Sequence, residues 1–140
     1  MMDIANVPSR SRETAYAKHI ADAFGRPFAW GAHDCATFAA GAIKAKCGRD
    51  VLGTMTWRSA LEAARLLEQM GWLRAAVTSR LGAPISLLNA HTGDPVLARD
   101  PDDGRELLAV FHGDVLLAPA EPGMAYLPLS HGICAWRAVP

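Results

Sequence analysis

The residue best suited to catalytic chemistry is Cys35, which follows a Trp30-Gly31 loop and comes directly after Asp34. Asp34 is predicted to cap a helix, and this places the thiol of Cys35 in the first helical turn. Unpaired backbone N–H groups and the positive end of the helix dipole both favour a thiolate there. The same N–H groups could stabilise an oxyanion. The pattern is typical of a nucleophilic cysteine, although a free cysteine is also a common small core residue.

A cysteine nucleophile needs a general base within hydrogen-bond reach, and the sequence offers five histidines. His91 would come near the helix start if its loop folds back, and His112 ends a predicted strand, so both are candidate bases. The other three have simple structural interpretations. We expect His19 on a helix surface, His33 hydrogen-bonded in the loop beside the cap, and His131 in a solvent-exposed turn.

Four helices are predicted in the first half of the chain. Tyr16, Ile20 and Phe24 recur at four-residue steps and would form one apolar stripe. Ser59 and Glu62 have the spacing of a capping box, which marks the start of the third helix. The predicted helices cover residues 12–24, 35–46, 59–70 and 73–81.

After Pro84 the pattern changes to short β-prone runs separated by turn residues. Asp102-Asp103-Gly104 is the clearest hairpin turn. The predicted strands cover residues 96–99, 106–111, 115–118, 124–127 and 133–139. Helices first and strands afterwards indicate an α+β fold, with N-terminal helices packed on a C-terminal antiparallel sheet. We expect one domain over residues 1–140, with 1–11 as a flexible or extended arm.

Composition excludes several classes of function. Lys plus Arg equals Asp plus Glu at 14 each, so the chain lacks the basic field that non-specific nucleic-acid binding needs. No apolar run is long enough for a membrane span, and residues 1–11 lack the apolar segment of a signal peptide. Cys35, Cys47 and Cys134 are expected as reduced thiols, and their spacing does not match a structural zinc site. We expect no metal and no cofactor.

One stretch of the sequence resembles a known family. Residues 28–38 read FAWGAHDCATF, and residues 93–97, GDPVL, open the predicted sheet. A Trp-Gly loop, Asp-Cys at a helix start and Gly-Asp before the first core strand resemble the NlpC-type cell-wall cysteine peptidases of the papain-like class. More narrowly, the length, the His-Asp-Cys-Ala run at 33–36 and the Ala-Trp-Arg run at 135–137 are similar to small NlpC-like proteins of phage and prophage tail modules.

The resemblance implies a helix-borne cysteine packed against an antiparallel sheet, with Cys35 as the nucleophile and Asp34 as its neighbour. It also implies a histidine base near the start of the second core strand. Residues 105–111 contain no histidine at that place. His112 lies at the far end of the strand, about 15 Å from its start at roughly 3.3 Å per residue, so it does not occupy the family's position.

The resemblance therefore implies a tail-tip protein of a phage or prophage with a peptidoglycan cysteine-peptidase fold, degenerate and structural. A second hypothesis is an active cell-wall endopeptidase or amidase that uses Cys35. A third is an intracellular thiol hydrolase or acyltransferase. The implied partners are other tail-tip or hub proteins and bacterial peptidoglycan. We expect synthesis in the bacterial cytoplasm and incorporation into the tail of a phage or phage-like particle.

Overall fold

A computed structural model describes residues 9–121 and 123–140 of the chain. Helices come first and strands afterwards, so the expected α+β order is confirmed. The helices are α1 (Ser9–Phe24), α2 (Cys35–Cys47), α3 (Ala60–Gln69) and α4 (Trp72–Leu81), and the strands are β1 (Pro95–Arg99), β2 (Glu106–His112), β3 (Val115–Ala120), β4 (Gly123–Pro128) and β5 (Gly132–Ala135). Within the described ranges, none of the helices has the length and apolar character needed to cross a membrane.

The ends of α1 and α2 follow from their sequences. Residues 9–11, which we assigned to an N-terminal arm, form the first turn of α1, and the rest of that arm lies outside the described residues. Asp34 caps α2 as predicted, and Gly48 ends the helix with a left-handed φ of 81° and an N–H that donates to the Lys44 carbonyl. That φ favours glycine because it has no Cβ.

The five strands form one antiparallel sheet in the order β4-β3-β2-β1-β5. The Asp-Asp-Gly turn joins β1 to β2, where Arg99 pairs with Glu106, as predicted. The last strand is shorter than expected, because β5 ends at Ala135 instead of Val139. After Ala135 the chain leaves the ladder, and Trp136 N–H donates to the Pro95 carbonyl.

Both faces of the sheet are buried. On one face α1 and α2 pack against β1, β2 and β3 through Tyr16, Phe38, Leu97 and Leu117. On the other face a second apolar cluster lies under the 85–90 segment and Leu129. The predicted stripe of α1 is buried at Tyr16 and Ile20 but not at Phe24, which is 44% exposed. Phe24 instead contacts the Tyr126 ring at 5.7 Å between centroids.

Candidate active site

Asp34 organises the segment that carries Cys35. Its carboxylate accepts hydrogen bonds from the Thr37 N–H at 2.9 Å, the Gly31 N–H at 2.8 Å and the Trp57 indole N–H at 2.6 Å. Thr37 Oγ1 in turn accepts from the Asp34 N–H at 2.8 Å, which completes a capping box. Asp34 is 2% exposed, so these donors take the place of water around the buried charge.

The Trp-Gly loop closes tightly on the segment before α3. Gly31 has a φ of 76°, and a Cβ built at this position would overlap the carbonyl oxygen of Trp57. Glycine is therefore required here both by the backbone angle and by the close approach. Trp57 and Gly31 both donate to the Asp34 carboxylate. This carboxylate therefore joins the Trp-Gly loop and the start of α2 to the segment before α3 that carries Trp57, here called the strap.

Cys35 is the first residue of α2 and is half-buried. Burial raises the pKa of its thiol above the ordinary value, and the charge of Asp34 raises it further. Hydrogen bonding by the backbone of Leu108, Ala36 and Cys35 itself lowers the pKa, but by less than burial raises it. The expectation that the helix start would favour the thiolate is therefore wrong, because desolvation outweighs the backbone donors.

A cavity of about 660 Å³ opens beside Cys35. It lies between α2, α3, α4, the 51–57 segment and the start of β2, and its walls are mainly aliphatic and aromatic. Trp30 and Trp72 stand at the cavity with 41% and 57% exposure, whereas Trp57 is buried. No histidine among the described residues lines this cavity.

Neither candidate base meets Cys35. His91 is exposed and lies outside the lining of the Cys35 cavity. Its backbone N–H donates to the Asp94 carboxylate at 2.9 Å, and its carbonyl accepts from the Asp94 N–H at 2.9 Å. His112 ends β2, four residues beyond Leu108, whose backbone forms a hydrogen bond with the Cys35 sulfur. Four residues of strand span about 13 Å, so the His112 ring lies well away from the thiol.

His112 instead belongs to a second polar cluster, between α1 and the sheet. Its Nδ1 lies 2.9 Å from the Tyr16 hydroxyl, and the Lys46 ammonium lies 5.3 Å from the centre of the Tyr16 ring. Burial and the charge of Asp94 raise the pKa of Tyr16, so the phenol stays neutral. The carboxylate of Asp94 also accepts from Ala138 N–H at 2.9 Å and fixes the C-terminal segment against β1.

The remaining histidines lie outside the lining of the cavity. His19 Nε2 lies 2.8 Å from the Phe38 carbonyl oxygen, and its ring stacks on Phe38, so it joins α1 to α2. His33 is 4% exposed, and burial followed by the charge of Arg26 lowers its pKa. His131 lies half-buried in a short 3-10 turn. Within residues 9–121 and 123–140, no group of three or more His, Cys, Asp or Glu side chains is placed to hold a metal ion.

Sequence reasoning missed two members of the Asp34 network. The first is Thr37, whose Asp-x-x-Thr spacing from Asp34 is a capping signal in the sequence. These two residues form a complete capping box. At the predicted box, Ser59 accepts from the Glu62 N–H, but the Glu62 carboxylate contacts the Ser59 hydroxyl. No local signal connects Trp57 to Asp34, since 23 residues separate them.

Comparisons with known proteins agree with this architecture. The model of a family described as a domain of unknown function, DUF6950, matches residues 9–138. Among solved structures, the NlpC/p60 domain of peptidoglycan hydrolase SagA is similar, with a TM-score of 0.54 and 18% identity over 94% of this chain and 99% of that chain. Likeness at this identity establishes the fold, which is the NlpC/p60 α+β fold that the sequence resemblance implied. No curated protein matches the sequence.

Proposed function

Since the chain belongs to the DUF6950 family, matched over residues 9–138, and has an NlpC/p60 fold, we propose that it is a non-hydrolytic component of a phage or prophage tail tip. The observation that carries the non-hydrolytic part is the surroundings of Cys35. The β2 residue that meets the Cys35 thiol is Leu108, through its backbone, and no histidine among the described residues shares the cavity.

A thiol without a base is a poor nucleophile in this setting. Attack on a peptide carbonyl needs a thiolate, and a neighbouring histidine normally supplies both the proton acceptor and the stabilising positive charge. Here burial and Asp34 act in the opposite direction and raise the pKa of Cys35. The helix N-terminus remains, but the backbone donors lower the pKa of Cys35 by less than burial and Asp34 together raise it.

The tail-tip part of the proposal is supported by the sequence resemblance. The His-Asp-Cys-Ala run at 33–36 and the Ala-Trp-Arg run at 135–137 are similar to small NlpC-like proteins of tail modules. In this role the chain is made in the bacterial cytoplasm and enters the particle with other tail-tip or hub proteins. In this role the protein contacts peptidoglycan at the cell wall without cleaving it.

The test compares the wild-type chain with Cys35→Ala on purified peptidoglycan. We expect equal and background release of soluble muropeptides from both proteins, with Cys47→Ala as a control for loss of an unrelated thiol. Mass spectrometry of purified particles should detect the chain at a fixed ratio to the other tail proteins. Muropeptide release that requires Cys35 would exclude the non-hydrolytic role, and absence from particles would exclude the tail role.

An active cell-wall endopeptidase or amidase is the second candidate. Cys35 opens α2 and borders an open cavity, which is the placement a nucleophile needs. A base would then have to come from another chain in an assembly. This candidate predicts Cys35-dependent release only in the presence of that partner. A thiol hydrolase or acyltransferase with another substrate would act on small thioesters without any partner, and a thioester hydrolysis assay separates the two.

A further inference from the structure

The cavity beside Cys35 has the dimensions of a small-molecule site. Its volume of about 660 Å³ falls within the range of roughly 300 to 1,000 Å³ that is usual for ligand pockets. Buried residues of α2 and β2, including Ala39, Ile43 and Leu108, belong to its wall, so the cavity reaches the core. Filled with water at about 30 Å³ per molecule, it would hold about 20 waters against walls with few polar groups.

Helix α3 presents an unpacked apolar face to this cavity. None of its residues is buried, although Leu66 and Leu67, together with the C-cap residue Met70, lie on one side of the helix and line the cavity. An amphipathic helix normally buries such a stripe against the core. Here the stripe faces the cavity, so an apolar occupant would complete the packing of α3.

The charges around the cavity indicate the head group of that occupant. The charged residues of its lining are Asp34, Arg80, Arg105 and Glu106. The Asp34 carboxylate is satisfied by its buried donors. Arg105 pairs with Asp103 in the hairpin turn, and Glu106 follows it at the exposed start of β2.

Arg80 is the cation that lacks an acidic partner. Its guanidinium contacts the Met55 sulfur at 3.4 Å, and it forms no ion pair with any residue in 9–121 or 123–140. A guanidinium binds a carboxylate through two parallel hydrogen bonds. An extended peptide fits the cavity less well, because apolar walls would leave its backbone N–H and C=O groups unpaired.

We propose that the cavity binds a long-chain aliphatic carboxylate, with the chain between α2 and α3 and the carboxylate at Arg80. The aliphatic chain matches the apolar walls and covers the half-buried apolar face of α3. The carboxylate uses the one cation of the lining that has no acidic partner among the described residues. This proposal depends neither on the tail-tip role nor on hydrolysis.

Calorimetric titration of the full chain with dodecanoate, below its micelle concentration, tests the proposal. We expect saturable binding of one dodecanoate per chain. Arg80→Glu should weaken it at least about tenfold, because a charge-assisted contact is replaced by repulsion. Arg65→Glu reverses an exposed charge of α3 outside the cavity lining and should leave the affinity unchanged. Ala63→Trp should abolish binding by filling the cavity from the α3 side.

A second measurement locates the ligand. Dodecanoate should slow the labelling of Cys35 by N-ethylmaleimide at least about tenfold, since a chain in the cavity covers the sulfur. Labelling of Cys47, which is outside the lining, is the internal control in the same digest. This readout uses the wild-type chain and decides the proposal even if Ala63→Trp does not fold.

Four results would overturn the proposal. The first is an absence of saturable binding, and the second is equal affinity for dodecanoate and dodecylamine, which would show that Arg80 does not select the carboxylate. The third is binding without protection of Cys35, and the fourth is binding to phosphatidylcholine vesicles but not to free dodecanoate. Muropeptide release is measured separately, so failure here leaves the proposed function untouched.

Discussion

Asp34 is the residue on which the local structure around Cys35 depends. Its carboxylate is buried and accepts from Gly31, Thr37 and Trp57. In Asp34→Ala these donors lose their acceptor and α2 loses its cap. We expect the free energy of unfolding to fall by about 3 to 7 kcal/mol, from about 1 kcal/mol for the cap bond of Thr37 and 1 to 3 for each of the other two donors left unpaired.

Urea unfolding followed by the fluorescence of the four tryptophans measures this loss, and Trp57 is itself a member of the network. Asp50→Ala is the matched control, since the exposed Asp50 carboxylate accepts a single N–H from Gly53 at 3.2 Å. The control should change stability by about 0.5 kcal/mol or less. A loss below about 1 kcal/mol for Asp34→Ala would show that the network contributes little.

The thiol of Cys35 makes stability depend on pH in a defined direction. Burial raises the folded pKa, so as pH rises the unfolded chain loses its thiol proton first. The unfolded state then binds fewer protons than the folded state, and the free energy of unfolding falls as pH rises. The contribution is fully present below the unfolded pKa, about 8.5, and is lost between that pH and the higher folded pKa.

We therefore expect the wild-type chain to lose more stability between pH 7.5 and pH 9.5 than Cys35→Ala does. The pH dependence of iodoacetamide labelling gives an independent measure, with the same thiol in unfolding concentrations of urea as its own reference. The native midpoint should lie above the unfolded midpoint. A native midpoint below it would mean that the helix N-terminus dominates over burial after all.

For single residues, the sequence predicted where Asp34 and Cys35 lie better than it predicted the pKa of Cys35. Asp34 as cap and Cys35 in the first turn are local features, because a cap and its helix are adjacent in the chain. The predicted direction of the Cys35 pKa shift was wrong because burial raises the pKa, and burial depends on how the whole chain folds around the thiol. Trp57 was missed for the same reason, since its bond to Asp34 exists only after folding.

At the scale of elements, the Trp-Gly loop positions α2 against the strap before α3. Gly31→Ala would place a Cβ on a residue with a left-handed φ of 76° and against the Trp57 carbonyl. It would also displace the Gly31 N–H, which donates to the Asp34 carboxylate. We expect a loss of about 3 kcal/mol or more in the free energy of unfolding, from backbone strain and overpacking together.

Gly104→Ala separates these two causes. Gly104 has a similar φ of 73°, but a Cβ there would meet open space. It should therefore cost only the strain, about 1 to 2 kcal/mol. Thermal and urea unfolding of both variants measure the difference. Equal losses would mean that the Trp57 contact relaxes and that the loop is less rigid than its hydrogen bonds indicate.

Elements with local signals were predicted well, whereas the end of β5, which depends on long-range contacts, was not. The helix pattern and the Asp-Asp-Gly hairpin carry their signals in neighbouring residues. The end of β5 is instead determined by contacts of the last residues with Pro95 and Asp94, more than 40 residues away. A period-2 pattern continues past Ala135, so the sequence alone overextends that strand.

For the whole molecule, packing is uneven around the cavity. Helices α1 and α2 bury Tyr16, Phe38 and Ile43 against the sheet or beside it, whereas α3 buries no residue and contacts mainly α4. The sequence predicted an inward face for α3 through Ala63, Leu67 and Met70. These residues do face inward, but they meet the cavity instead of the core. Periodicity reports the face of a helix and carries no information on whether another element covers it.

Uneven packing predicts that α3 opens more easily than the rest of the chain. Native-state hydrogen exchange should show the amides of Ala60–Gln69 exchanging at least about tenfold faster than those of Cys35–Cys47, because few apolar contacts oppose local opening of α3. Ser59→Ala removes the side chain that accepts the Glu62 N–H. It should speed exchange in α3 about fivefold, the equivalent of about 1 kcal/mol, while exchange in α2 stays unchanged. The prediction fails if α3 and α2 are equally protected, or if Ser59→Ala speeds exchange in both helices. Either result would mean that the two helices unfold as one cooperative unit.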